Sequence, residues 1–231
     1  MPAVSIVIPV YRNAGTLREL HARLVNSLGR TAGSFEMIFV DDASPDASPT
    51  TLRALASDDS RVVVVSLLEN VGQQRAVLAG LSRARGDRTV IMDADLQDRP
   101  EAVPLLLGLL DGRVSAVFAS RRGAHQPLTR RLTSRLFKMT MRWLCGTPAD
   151  AGVFVAIDRP MKERLIGYER PGPSIFAMIG CAGLPMTSVP LQRDRRPDGR
   201  STYTWDERVA LSIRALVWVL RHKWRAAAFR D

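Results

Sequence analysis

The sequence predicts an α/β fold in which helices flank a mostly parallel sheet. Apolar runs rich in β-branched residues recur at residues 4–10, 35–40, 61–67, 88–92, 114–119 and 152–157. Segments with helical periodicity alternate with the first four or five of these runs. Such alternation is typical of parallel strands whose connecting helices cover both faces of the sheet.

Three segments between the predicted strands have the spacing of amphipathic helices. In GTLRELHARLVNSLG, leucines recur at steps of three and four residues, which places them on one helix face. QQRAVLAGLSRARG has a similar rhythm of alanine and leucine, and PEAVPLLLGLL opens with a proline suited to a first helical turn. Residues 171–192 are uncharged, but four prolines interrupt them, so we expect a short helix and a strand there rather than a membrane span.

The composition is that of a folded globular protein with an excess of positive charge. Of 231 residues, 46% are hydrophobic and 24% charged, and 33 Lys and Arg against 23 Asp and Glu give a net charge of +10. Anionic partners are therefore favoured, whether nucleic acid, anionic lipid or phosphorylated small molecules. A nucleic-acid-binding module is the less favoured of these, because the basic residues are dispersed with few aromatic residues between them.

The two cysteines and the N-terminus give expectations about redox state and location. Cys145 and Cys181 lack C-x-x-C spacing and nearby histidines, so we expect two reduced, buried thiols rather than a zinc site or a disulfide framework. The chain starts directly on a strand without a cationic leader, which favours a cytoplasmic protein.

Two basic segments have amphipathic helical patterns. They are PLTRRLTSRLFKMTMRWLC, at residues 127–145, and RVALSIRALVWVLRHKWRAAAFR, at residues 208–230. Either helix could lie on an anionic membrane surface, or could pack on the core with a solvated basic face.

Polar residues follow three of the predicted strands, in SIVIPVYRN, MIFVDDASPD and VIMDADLQD. Ligands in open α/β sheets bind beyond the carboxyl ends of the strands. In the third segment, Asp93, Asp95 and Gln97 alternate after an apolar strand, and their oxygens could hold a hard divalent cation. The competing interpretation of such a pair of aspartates is a solvated turn.

Four motifs occurring in order decide between these interpretations. VSIVIPVYRNAGTL, FVDDASPDAS, NVGQQRAVLAGLSRARGD and IMDADLQDRPE together resemble family 2 of the inverting, nucleotide-sugar-dependent glycosyltransferases. The similarity is greatest to the branch that transfers sugars to polyprenyl phosphates, such as dolichyl-phosphate mannose synthase. The resemblance implies a Rossmann-like GT-A fold, with a catalytic domain at residues 1–204 and a basic amphipathic helix at residues 205–231.

The resemblance also implies a binding site for a nucleoside-diphosphate sugar. Base and ribose would be contacted by residues after the first two strands: Pro9, Tyr11, Asn13, Asp41 and Asp42. Gly72 and Arg75, at a helix start, would face the diphosphate, because backbone N–H groups and a guanidinium suit an anion.

The D-x-D motif of the family corresponds to Asp93, Ala94 and Asp95, which would bind Mg²⁺ or Mn²⁺ together with the donor. Gln97 could add a metal ligand, and Asp95 is predicted to be catalytic through the metal. Further donor contacts are implied for Arg121 in ASRR and for Arg196, Gly199, Ser201 and Tyr203 in RRPDGRSTY. Thr202 stands where several relatives have lysine, so one phosphate contact is missing or comes from Arg200.

Asp150, in PADAGVFVAID, occupies the position of an acid near the acceptor. It would be the general base for a hydroxyl acceptor, whereas a phosphate acceptor is already anionic at neutral pH and needs cations instead. We expect a polyprenyl phosphate, with a soluble saccharide or metabolite as the alternative. A degenerate nucleotide-binding module is the non-enzymatic alternative.

Many bacterial relatives continue into transmembrane helices, whereas this sequence ends at Asp231. We therefore expect a peripheral protein on the inner face of the membrane, held there by its basic helix, by an anchoring partner or as a homo-oligomer. A truncated chain is the other interpretation.

Overall fold

A computed structural model gives the fold of the chain. The structure describes residues 2–29, 33–122, 139–148, 151–192, 194 and 205–228, without the side chains of residues 121, 122, 205–209 and 223–228. Seven strands form one sheet in the order β3-β2-β1-β4-β6-β5-β7. The strands are β1 (Val4–Val10), β2 (Phe35–Asp41), β3 (Val62–Ser66), β4 (Arg88–Ile91), β5 (Ala116–Arg122), β6 (Ala151–Asp158) and β7 (Met186–Gln192).

The helices alternate with the first five strands. They are α1 (Leu17–Leu28), α2 (Ser48–Asp58), α3 (Gln73–Arg83), α4 (Val103–Gly108), α5 (residues 139–145), α6 (Arg159–Ile166), α7 (Ile175–Cys181) and α8 (Trp205–Ala228). A 3-10 turn, Pro100–Ala102, precedes α4. The predicted strands and the three predicted helices are confirmed, as are a short helix and a strand within residues 171–192.

The sheet is parallel except for one strand. β1 pairs in parallel with β2 and β4, β2 with β3, and β5 with β7, whereas β6 is antiparallel to both β4 and β5. The prediction of a mostly parallel sheet is confirmed. All residues of β1 and β2 are buried, because helices cover both faces of the sheet and leave no solvated side.

Two apolar layers form the core. On one face, α1, α2 and α4 pack their leucines and valine against alternate strand residues such as Ile6, Ile8 and Phe39. On the other face, α3, α6 and α7 pack against Val7, Ile38 and Val40. α3 comes close to the sheet at Gly80, where an added Cβ would lie 2.4 Å from Val7 Cγ1. Glycine is therefore required at this point of helix-to-sheet contact.

α8 packs on the side of the sheet that α3, α6 and α7 cover, over α5 and α7. Ala215 and Val219 are buried in a small cluster with Met141 and Cys145. The indole N–H of Trp218 donates to the Arg170 carbonyl at 3.1 Å. The predicted C-terminal helix is therefore present.

Within the described part of the chain, no helix has both the length and the hydropathy of a membrane span. The division at residue 204 stays a prediction.

A buried carboxylate joins the amino ends of β1 and β2 to the end of α3. Glu36 is 3% exposed and accepts four hydrogen bonds: one from Ser5 Oγ at 2.7 Å, and three from Arg85 at 2.7–3.0 Å. Burial by itself would raise the pKa of Glu36, but the hydrogen bonds from Arg85 and Ser5 outweigh it and lower the pKa.

Glu36→Gln is expected to lower the free energy of unfolding at neutral pH by about 2–3 kcal/mol, since a neutral amide cannot accept all these hydrogen bonds. The stability that charged Glu36 contributes is complete above the ordinary glutamate pKa and is lost as the pH falls through the lowered pKa of the folded state. In urea unfolding at a series of pH values, the difference between wild type and variant should therefore shrink at acidic pH.

Asp87→Asn is the matched control, because the Asp87–Arg159 ion pair is exposed. Its loss should change the free energy of unfolding by no more than about 0.5 kcal/mol. An equal, pH-independent effect of both substitutions would contradict the assignment to Glu36.

Candidate active site

Three neighbouring strands end at the same edge of the sheet. The register pairs Val10 of β1 with Asp41 of β2, and Val7 of β1 with Ile91 of β4. The loops that follow β1, β2 and β4 therefore begin side by side, where open α/β sheets bind ligands. These strand ends and loops carry the residues predicted from the sequence: Tyr11, Asn13, Asp41, Asp42, Asp93, Ala94, Asp95 and Gln97.

Each of these loops contains a non-glycine residue in the left-handed backbone region. The φ angles are 59° at Arg12, 52° at Ala43 and 58° at Leu96, and no other described residue except glycine has a positive φ. Each such conformation costs about 1 kcal/mol or more, so the surrounding contacts must hold it.

Serines of the second loop hold the backbone of the first. The Arg12 N–H donates to Ser44 Oγ at 3.3 Å, and the Asn13 N–H donates to Ser48 Oγ at 3.0 Å. The Asn13 side chain accepts from the Tyr11 N–H at 3.0 Å. The DDASPDAS segment therefore fixes the position of the Tyr11 loop.

Asp46 adds a further link between the two loops. Its carboxylate accepts from the backbone N–H groups of Ala14 at 3.2 Å and Ser48 at 3.1 Å. Partial burial would raise the pKa of Asp46, but hydrogen bonds from Ser48 and Ala14 outweigh that effect and lower it.

Asp41 and Asp42 are buried and hydrogen-bonded to backbone. Asp41 accepts from the Ser44 N–H at 3.2 Å, within its own loop. Asp42 accepts from the N–H groups of Val71 at 2.8 Å and Gly72 at 2.9 Å, one to each oxygen. Asp42 therefore joins the second strand end to the start of α3. The predicted contact of both aspartates with base or ribose stays a prediction.

The start of α3 lies next to the D-x-D segment. Gly72 precedes the helix with a φ of 86°, a conformation that glycine adopts without strain. Gln73 Nε2 donates to Asp93 Oδ1 at 2.5 Å. The Arg75 guanidinium is on the exposed side of this first turn. The positive end of the helix dipole and a cation are thus available to an anion near Asp93.

The D-x-D segment is itself a turn. Asp95 Oδ1 accepts from the Gln97 N–H at 3.0 Å, around the left-handed Leu96. Thr16 Oγ1 lies 2.6 Å from the Ala94 carbonyl, to which it donates. Ala94 is buried, whereas the two flanking aspartates are half-buried. This anchoring presents Asp93 and Asp95 from a fixed backbone.

These residues fit a hard divalent cation by the chemistry of their donor atoms. Asp93 and Asp95 supply two carboxylates from one turn, and Gln97 supplies an amide. The described residues contain no set of three His, Cys, Asp or Glu side chains that could enclose a metal. An ion held here would take its other ligands from phosphate and water, as Mg²⁺ commonly does.

The remaining strands bring a second set of residues to this edge. Because β6 is antiparallel, its first residue, Ala151, pairs with Ser120 near the carboxyl end of β5. Arg121 is the next residue of β5 and pairs with Leu191 of β7. Asp150 precedes Ala151 in the sequence and lies outside the described residues.

An ion pair joins Asp194, just after β7, to the loop after β4. The Arg99 guanidinium contacts the carboxylate of Asp194 at 2.5–3.0 Å, and the Asp194 N–H donates to the Gln97 carbonyl at 2.9 Å. A small cleft beside it is lined by Asp98 and Ser120, among others.

The sequence profile of glycosyl transferase family 2 matches residues 5–182, which is more than half of the chain. The chain belongs to glycosyl transferase family 2. The resemblance inferred from the four motifs is thereby confirmed.

Two curated relatives align with more of this chain than the family profile does. The uncharacterized glycosyltransferase YkcC of Bacillus subtilis is 31% identical over 219 residues, which cover 90% of this chain and 66% of the relative. The undecaprenyl-phosphate 4-deoxy-4-formamido-L-arabinose transferase of Salmonella choleraesuis is 28% identical over 205 residues, covering 87% and 63%. The chain thus spans just under two thirds of the length of these relatives.

Solved structures establish the GT-A fold of this family 2 chain. The mannosyltransferase PcManGT of Pyrobaculum calidifontis, in complex with GDP-Man and Mn²⁺, has a TM-score of 0.69, 22% identity, and coverage of 95% of this chain and 64% of that one. The glucosyl-3-phosphoglycerate synthase of Mycobacterium tuberculosis, in complex with Mn²⁺, UDP and phosphoglyceric acid, has a TM-score of 0.69, 21% identity, and coverage of 96% and 78%.

The structure brings most of the predicted donor residues to one edge of the sheet. Pro9 is a buried residue of β1, close to the strand end. The predicted residues Asp150, Arg196, Gly199, Ser201 and Tyr203 lie outside the described part of the chain, and the Arg121 side chain is not described. The roles assigned to all of these residues stay predictions.

Sequence reasoning missed several residues that build the site. Gln73 and Thr16 bond to the D-x-D turn, Arg99 bonds to Asp194, whose N–H donates to the Gln97 carbonyl, and Ser48 bonds to the Tyr11 loop. A polar residue at the first position of α3, directly after Gly72, was the available signal for Gln73. The other three are common residue types whose partners are distant in sequence.

Asp42→Ala is expected to lower the free energy of unfolding by about 2–3 kcal/mol, because the partly buried N–H groups of Val71 and Gly72 lose their acceptor. Urea unfolding measures the change. Asp58→Ala is the control, since Asp58 is exposed at the opposite edge of the sheet, at the end of α2, and should change stability by less than about 0.5 kcal/mol. If Asp42→Ala unfolds at the same urea concentration as the wild type, the role of Asp42 in joining the two loops is contradicted.

Proposed function

We propose that this chain is an inverting glycosyltransferase that transfers a sugar from a nucleoside diphosphate to a polyprenyl phosphate, with Mg²⁺ or Mn²⁺ bound by Asp93 and Asp95. One observation carries the proposal: in a family 2 chain, Gln73 at the start of α3 bonds directly to Asp93 of the D-x-D turn. A diphosphate between the helix and the turn would therefore lie near the backbone N–H groups of the helix start and near Arg75. The metal would link it to the two carboxylates.

The donor half of the site would orient the nucleotide and stabilise its departure. Tyr11 offers a ring face to a base, and its loop is fixed by Ser48 and Asn13. A metal bound at Asp93 and Asp95 would neutralise charge on the leaving diphosphate. The PcManGT and mycobacterial structures contain Mn²⁺ in their complexes, which supports a divalent ion here.

A phosphate acceptor is supported by the Salmonella relative, whose name describes sugar transfer to undecaprenyl phosphate. An acceptor phosphate is anionic at neutral pH and attacks without a base, so Asp150 would orient the sugar or a cation. With a hydroxyl acceptor, Asp150 would instead remove the proton. The mycobacterial synthase, whose complex contains phosphoglyceric acid, represents the soluble alternative.

A lipid acceptor requires access to a membrane surface, and α8 has a suitable face. Ile213, Val217 and Leu220 are 57%, 41% and 49% exposed and recur at steps of four and three residues. Exposed Arg214 and Arg221 flank them. Apolar side chains bordered by arginines suit the interface of an anionic bilayer. A peripheral location on the inner membrane face is part of the proposal.

For the donor site, one of UDP, GDP, dTDP and CDP is expected to raise the melting temperature by about 5–10 °C at saturating concentration, and only with Mn²⁺ present, because ligands stabilise the state they bind. Asp93→Asn should abolish the shift. A thermal-shift panel with and without Mn²⁺ measures both effects.

Asp58→Asn makes the same chemical change at the opposite edge of the sheet and should keep the full shift. A shift that persists in Asp93→Asn would exclude the metal assignment. If no nucleotide shifts the wild type, the chain is a degenerate member of the family rather than an active transferase.

For the acceptor, the double variant Ile213→Ser and Leu220→Ser is expected to reduce sugar transfer to undecaprenyl phosphate in anionic vesicles by about tenfold or more, since it removes two apolar contacts with the bilayer. The readout is transfer of labelled sugar from the donor identified above. The nucleotide shift of the variant should equal that of wild type.

Leu105→Ser is the matched control, because Leu105 is 47% exposed on α4, which covers the other face of the sheet. Equal loss in both variants would contradict the role of the α8 face. Transfer to phosphoglycerate but not to undecaprenyl phosphate would contradict the lipid acceptor and favour the soluble one.

A further inference from the structure

The two cysteines are in contact, although 36 residues separate them in the sequence. Both are thiols rather than halves of a disulfide, and Cys145 Sγ lies 3.6 Å from Cys181 Sγ. Cys145 is the last residue of α5, and Cys181 the last residue of α7. Two helix ends therefore meet through a pair of thiols.

The packing around the pair keeps the thiols together. Gly180 has no side chain, and a Cβ at that position would lie 2.8 Å from Cys145 Cβ and 2.5 Å from Thr147 Cγ2. Apolar residues of three helices surround the pair: Met141 of α5, Ala177 of α7, and Ala215 and Val219 of α8. The absence of a side chain at Gly180 is what allows this approach.

The two thiols differ in access to solvent. Cys145 is buried, whereas Cys181 is partly exposed. A reagent from solution reaches Cys181 first, and Cys145 is then the neighbouring group that can respond.

We propose that Cys145 and Cys181 form a redox-reactive dithiol that a small-molecule disulfide, such as oxidised glutathione, converts into an intramolecular disulfide. The Cys181 thiolate attacks one sulfur of the oxidant, which forms a mixed disulfide and releases one glutathione thiolate. The Cys145 thiolate then attacks Cys181 Sγ and displaces the second glutathione. The protein loses two thiol hydrogens, and the oxidant is reduced to two thiols.

The disulfide would covalently join α5 to α7 beneath α8. Because a crosslink restricts the unfolded chain, and this one closes a loop of 36 residues, it should raise the melting temperature by about 5–10 °C. The proposal concerns a pair of residues outside the donor site and does not depend on the proposed transferase activity.

The test treats the reduced chain with oxidised glutathione, then blocks remaining thiols under denaturing conditions and analyses the protein by intact mass and peptide mapping. The wild type should lose both thiols, retain no glutathione, and yield one crosslinked peptide pair. Cys145→Ser should stop at a glutathione adduct on Cys181. Cys181→Ser should remain unmodified, because its remaining thiol is buried.

Three results would overturn the proposal. They are a stable glutathione adduct on the wild type, crosslinks between chains, or no reaction of the protein under conditions in which oxidised glutathione fully oxidises dithiothreitol in a parallel sample. The melting temperature gives a second readout. A rise for the oxidised wild type that is absent in Cys145→Ser supports a native-like crosslink. An unchanged or lowered value means that the disulfide forms outside the native packing, which also overturns the proposal.

Discussion

The loops at the carboxyl edge of the sheet depend on acceptors for their backbone N–H groups. Buried N–H groups without partners are costly, and three of these loops also contain a residue in the left-handed region. Short side chains supply the acceptors: Ser44 and Ser48 for the first loop, and Asp42 for the start of α3. The Ser44 and Ser48 bonds fix the backbone next to Tyr11, and the Asp42 bonds fix the start of α3, from which Gln73 donates to Asp93.

This dependence changes how the acidic motif after β2 should be interpreted. Asp42 has the residue type and location of a ligand-binding group, yet both of its oxygens hold the backbone at Val71 and Gly72. Gln73, one residue later, then bonds to Asp93. Three strand ends are therefore one connected unit, which the Asp42 carboxylate shapes by holding the backbone at the start of α3.

The sequence predicted the fold and the position of the aspartate pair after β4 for a physical reason: both depend on local patterns, the first on hydrophobic periodicity and the second on closely spaced carboxylates after an apolar strand. It did not predict that β6 is antiparallel, because a buried apolar run looks alike in both directions. It also missed Gln73 with Asp93 and Cys145 with Cys181, which lie 20 and 36 residues apart and meet only in the folded chain.

The antiparallel pairing of β5 with β6 has a consequence for sequence variation. Ser120 and Ala151 are direct neighbours across the two strands, so the connection between them, which includes α5, forms a loop whose two ends are adjacent in the sheet. Doubling the length of such a loop costs only about 0.6 kcal/mol in closure entropy. A change of length on the N-terminal side of α5 should therefore cost little closure entropy, whereas exchanges at Met141 and Cys145 of α5 should disturb its packing against α7 and α8.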